Sequence, residues 1–72
     1  MNPKEKEDLL VNIAPYIENI EFFKELLENS KDIEDLRNKL NELIKKEVEI
    51  TKRTDINIIL DKINNLTHSS IG

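Results

Sequence analysis

Six apolar side chains, Leu9, Ile13, Tyr16, Ile20, Phe23 and Leu27, recur at spacings of 4, 3, 4, 3 and 4 residues. That is the heptad seam of an amphipathic helix, and it runs through a proline, Pro15. The combination is the tightest constraint in the chain. A proline inside a helix removes one backbone hydrogen bond and clashes with the carbonyl four residues back, here that of Val11. The expected element spans about residues 3–29 and is kinked or broken near residue 15. Because the seam keeps its phase across the proline, a kinked or closely stacked pair is favoured over two unrelated helices. Its start is well marked: Asn2 can cap, Pro3 suits the first helical position, and Glu5 completes a capping-box pattern.

Asn29-Ser30 marks the next boundary, with Ser30 as the expected cap and Asp32 in the first turn. Ile33, Leu36, Leu40, Leu43, Ile44, Val48 and Ile50 then fall within one sector of roughly 160° at 100° per residue, which predicts a helix over 31–50. Thr51-Lys52-Arg53-Thr54 reads as a connection, with Thr54 or Asp55 capping a last helix over 55–67 that carries Ile56, Ile59, Leu60, Ile63 and Leu66. Residues 68–72 read as a flexible tail. One Gly and two Pro among 72 residues leave little material for the tight turns of a β fold. The expected architecture is therefore all-α. It is a small three-helix bundle in one domain, residues 1–72, with a bent first helix and two antiparallel helices, completed by dimerisation.

The net charge of −4 lies in residues 1–30, with three Lys against seven acids, while residues 31–72 balance eight against eight. An acidic chain of this kind is poorly suited to phosphate backbones. Lys45, Lys46, Lys52 and Arg53 read as a solvated helix end. The charged N-terminus and the absence of any long apolar run predict a cytoplasmic protein with no membrane segment. Frequent Ile, Asn and Lys suggest an AT-rich source such as a low-GC bacterium or a phage.

Apolar surface is left over once a core is assigned. Projected on a continuous first helix, Val11, Pro15, Phe22 and Leu26 form a second stripe opposite the seam. An exposed Phe-Leu stripe is an association surface unless it is covered. A helix break at Pro15, or a central position for the first helix, would cover it. Size favours association, since a core this small supplies only ~3–5 kcal/mol. A dimer pairing the first helices would bury Phe22 and Leu26. The candidate partner-binding residues are thus Val11, Glu18, Phe22, Glu25 and Leu26, with Phe22 as anchor and the glutamates favouring a basic partner.

Catalytic chemistry has little material. There is no Cys, and the single His68 stands in the expected tail, where no rigid scaffold would hold a triad. Asp61 and His68, seven apart, are two ligands short of a zinc site. No EF-hand spacing or glycine-rich phosphate loop is present. The expectation is a non-enzyme without cofactor or metal, a regulator or inhibitor that acts by helix packing on a larger protein.

Two alternatives have specific residues behind them. Residues 33–44, Ile-Glu-Asp-Leu-Arg-Asn-Lys-Leu-Asn-Glu-Leu-Ile, resemble the first helix of small aspartyl-phosphate phosphatases that regulate sporulation in Gram-positive bacteria. That resemblance implies a helical hairpin docking on a response regulator, with Asp61 at the phosphoryl site and Arg37 on the first helix; Asn57 stands where the family carries Ser. A helical DNA-binding regulator is the other. Its recognition helix would run from Thr54 to Leu66 and present Asn57, Asn64 and Asn65, with Asp55 and Asp61 on the same outward side.

Overall fold

A computed structural model of the chain describes residues 2–68. Among them are four helices and no strand: α1 (Pro3–Ile13), α2 (Ile20–Glu28), α3 (Ile33–Lys46) and α4 (Ile50–His68), with a single 3₁₀ turn, Ala14–Tyr16, after α1. The predicted capping box opens α1. Asn2 Oδ1 accepts from the Glu5 backbone N–H at 2.8 Å, and Glu5 Oε1 accepts from the Asn2 backbone N–H at 3.3 Å.

Pro15 breaks the first helix outright, so the bundle has four helices and not three. The Ala14 N–H still reaches Leu10 O, but Pro15 has no N–H to offer Val11. The chain tightens into the 3₁₀ turn, Ile17 N–H closes onto Ala14 O at 3.3 Å, and Ile17 becomes extended at φ −119°, ψ 159°. The tighter turn displaces the seam by one residue at this point, and Phe23 and Leu27 resume the expected positions beyond it. Tyr16, expected inside, is 58% exposed, and Ile17, outside the heptad pattern, is 7% exposed and joins the core.

Asp55 holds this break in place. It is expected at the start of the last helix, yet it lies in the second turn of α4 and is only 1% exposed. Its Oδ1 accepts from the Glu18 N–H at 3.1 Å, and its Oδ2 accepts from the Asn19 N–H at 2.8 Å and from Asn19 Nδ2 at 2.7 Å. Asn19 is the N-cap residue of α2 and makes no side-chain cap of its own. Asp55 therefore caps α2 from another helix, where orphaned N–H groups and the helix dipole both favour a carboxylate.

The later boundaries also differ from expectation. Ser30 does not cap α3; it is buried, and its Oγ donates to Leu26 O at 2.6 Å, closing the end of α2. Asp32 is the cap, with Oδ1 accepting from Asp35 N–H at 2.8 Å, while Asp35 Oδ2 accepts from Lys31 N–H at 3.0 Å and pairs with Lys39 Nζ at 3.0 Å. The Lys31 N–H and then the Lys39 ammonium hold the Asp35 carboxyl below the usual carboxylate range. α3 ends at Lys46, where Glu47 turns extended, so Val48 and Ile50 are 89% and 79% exposed and not on a buried face.

Thr51-Lys52-Arg53-Thr54, read as a connection, is the first turn of α4. Two contacts explain it. Arg53 Nη1 donates to Ile44 O at 3.0 Å and Glu47 O at 2.9 Å, satisfying the end of α3. Thr54 Oγ1 donates back to Ile50 O at 2.9 Å, a local bond that lets a threonine sit in a helix. α4 continues through His68, and the rest of the expected tail, 69–72, lies outside the described residues.

The core comprises Leu9, Ile13, Ile17, Phe23, Leu27, Leu36, Leu40, Ile56, Ile59 and Ile63, drawn from every helix. α3 and α4 form the most closely packed pair, a helical hairpin, with α1 against α2 and α4, and α2 against α3.

Replacing Asp55 with Ala should cost about 3 kcal/mol, because it strands three donors at a buried junction. For a domain of this size that approaches the whole stability. Urea titration should show a much lower midpoint, and amide exchange at Glu18 and Asn19 should accelerate; an unchanged midpoint would assign the junction's stability elsewhere. The depressed Asp35 carboxyl contributes stability that is present above its unfolded titration and lost as pH falls through its folded one. In Lys39→Met, carboxyl-carbon NMR should find Asp35 titrating higher than in the parent yet still below an ordinary carboxylate, since the Lys31 N–H bond remains.

Candidate functional site

The stripe expected on a continuous first helix is divided by the break. Val11 stands exposed on α1, while Phe22 and Leu26 lie one turn apart on α2, both half-buried and packed against the core. The long helix that a dimer would have paired ends at Ile13. Glu25 is exposed on α2. Glu18 is exposed before α2, its backbone held by Asp55.

What the structure assembles around Leu26 is a groove between α2 and α3. Leu26 and Leu43 form its apolar floor, and Asn29, Asn38, Lys39 and Glu42 rim it, enclosing about 470 Å³. Its rim is braced from within. Asn29 Nδ2 donates to Glu25 O at 2.9 Å, closing α2, and Lys39 Nζ donates to Asn29 O while pairing with Asp35. The Lys39 charge is thereby held by its own neighbours. Glu42 contacts Lys45 at 3.8 Å with both side chains largely exposed, a weak solvated pair. The rim thus carries one cation, Lys39, and one carboxylate, Glu42, between two asparagine amides.

Sequence reading found Leu26 and Phe22 but not Leu43, Asn29 or Asn38. Leu43 falls inside the apolar sector of α3 and reads as core. Its place at the groove depends on how α2 crosses α3, which periodicity within one helix cannot encode. A second groove, between α1 and α2, has Leu10 and Leu27 in its wall but is bridged by the Lys6–Glu28 ion pair at 3.4 Å. The residues of the two alternatives are placed as follows. Asp61 is exposed on α4, and Arg37 is half-buried on α3 and ion-paired with Glu34. Asn57, Asn64 and Asn65 are exposed on α4, but Asp55, expected on the same outward side, is buried, and Arg53 is engaged with α3.

Among the described residues no three His, Cys, Asp or Glu side chains gather into a group able to hold a metal ion. Among them, too, no helix is long and apolar enough to cross a membrane.

The chain is 50% identical over 60 residues to "Uncharacterized protein MJ1579" of Methanocaldococcus jannaschii, an alignment covering 83% of this chain and 86% of that protein. This relative is archaeal and lends no support to a bacterial or phage source. No solved structure matches. The family model for MJ1579 matches residues 3–68, so with this alignment beside it the chain belongs to the MJ1579 family.

Proposed function

We infer that the chain is a small non-catalytic interaction module of the cytoplasm, which regulates or inhibits a larger protein by seating one of that protein's helices between α2 and α3. The observation that carries this reading is the pairing of Leu26 and Leu43 as an apolar floor beneath a polar rim. A groove of that form suits an amphipathic helix with apolar anchors at i and i+4 and polar residues along its flanks. Phe22 and Glu25 stand on the same helix as Leu26, half-buried and exposed respectively, and flank the groove without lining it. Val11 is on another helix and Glu18 precedes α2, so neither belongs to this version of the site.

Among the groove's polar groups, Asn29 is engaged in closing α2, and Lys39 bonds Asn29 O and pairs with Asp35. Such groups give a partner orientation and register.

Affinity capture from lysate of the source organism tests this. The parent chain should retain one stoichiometric protein, and Leu26→Asp and Leu43→Asp should each lose it, while Val11→Asp keeps it. Circular dichroism should find the helicity of the variants unchanged. Retention of the same protein by Leu26→Asp would remove the groove as its site.

A further inference from the structure

We propose that a second copy of this chain docks on the face formed by Tyr16 and the outer side of α4, giving a two-fold dimer centred on Ile58. The proposal is independent of the α2–α3 groove, with which this face shares no residue. α4 buries Ile56, Ile59 and Ile63 in the core. Beside that buried side runs another row, Thr54, Ile58, Asp61 and Asn65, at spacings of 4, 3 and 4, the repeat by which one helix packs along another. Tyr16 stands next to the row because Pro15 turned it out of the core. Its ring forms one cleft with Ile50, Thr54 and Ile58 and a second cleft with Lys62 and Leu66. Tyr16, Ile50 and Leu66 are three of the exposed large apolar side chains of the molecule.

Charge along this face is what selects a second copy as the occupant. Glu18 sits toward the N-terminal end of α4, fixed at the level of Asp55 by its backbone bond. Lys62 sits toward the other end, its Nζ 3.9 Å from the centroid of the Tyr16 ring. The two charges thus flank Ile58 on the Tyr16 side of α4, each about one turn away along the axis. A two-fold axis through Ile58, perpendicular to α4, exchanges the ends. Lys62 of one copy then meets Glu18 of the other, twice per dimer, around a centre of paired Ile58 and Tyr16 side chains. Asp61, on the far side of the row, comes opposite the uncharged Thr54, so no carboxylate faces another.

The size is adequate. Residues 51–65 rise about 21 Å along α4, against molecular dimensions of 33 × 26 × 22 Å. A stable interface takes about 800 Å² from each partner, roughly one-sixth of the 4860 Å² surface.

The test is analytical ultracentrifugation of the full chain over a concentration series, with two single charge reversals. The parent should dimerise. Glu18→Lys and Lys62→Glu should each weaken the dimer by about tenfold or more, because symmetry converts both attractive pairs into repulsive ones. Mixing these two variants in equal amounts should restore a dimer of parental strength, since the heterodimer again pairs opposite charges at both positions. That rescue cannot come from an effect on either monomer, including loss of the Lys62–Tyr16 contact. Leu26→Asp should leave the dimer intact. A parent monomeric throughout the series would overturn the proposal and leave the face to a different protein. A dimer indifferent to both reversals, or a mixture no stronger than its components, would overturn it as well.

Discussion

The carboxylate of Asp55 is a charge removed from water without a basic partner, a situation that is costly unless hydrogen bonds replace the lost hydration. Here they do, and the donors are not arbitrary. They are the N–H groups of Glu18 and Asn19 and the Asn19 side-chain amide, at the start of a helix whose own cap residue bonds elsewhere. Each side resolves the other's difficulty: α2 lacks a local cap, and Asp55 lacks a cation. The contact ties the start of α2 to α4 at one point, while α2 packs against α1 and α3 and shares its buried Phe23 and Leu27 with the common core. The α2–α3 groove and the Tyr16 face both inherit their geometry from that point.

Pro15 supplies the complementary constraint. Without it the seam from Leu9 to Leu27 would describe one long helix, and Asp55 would have no N-terminus to cap. With it, the chain reverses within a few residues and α2 packs back against α1. Tyr16 is expelled as a direct result, so the aromatic ring on the proposed dimer face is a by-product of the break that makes the bundle compact.

Much of the core was legible because burial within a helix is a local, periodic property. Leu9, Ile13, Phe23, Leu27, Leu36, Leu40, Ile56, Ile59 and Ile63 all lie on faces that spacing alone identifies. The Asn2–Glu5 capping box was equally local. What failed was every boundary whose partner is remote or whose local signal had two readings. Ser30 looks like a cap but closes the helix behind it, and Asp32 opens the one ahead. Thr51 to Thr54 looks like a connection, yet Arg53 reaches back to α3 and thereby belongs to a helix. Phase could not be carried from Ile13 to Tyr16 because a 3₁₀ turn advances with a different period. The groove was half visible for the same reason: Phe22 and Leu26 show on one helix, but their neighbour Leu43 depends on a crossing between two.

Both interhelical caps come from α4, the Arg53 one from six and nine residues away in sequence and the Asp55 one from far beyond. Arg53 completes the end of α3, and Asp55 completes the start of α2 across separations of 36 and 37 residues. During synthesis the segment around Asn19 therefore precedes its cap by half the length of this chain. Until α4 emerges, Glu18 and Asn19 lack the Asp55 carboxylate for their N–H groups, and the core lacks Ile56, Ile59 and Ile63. Stepwise addition of finished helices is closed to such a chain. Its native state has to form in one cooperative event after the fourth helix is available, and a ribosome pausing before Arg53 would hold a chain with apolar surface uncovered.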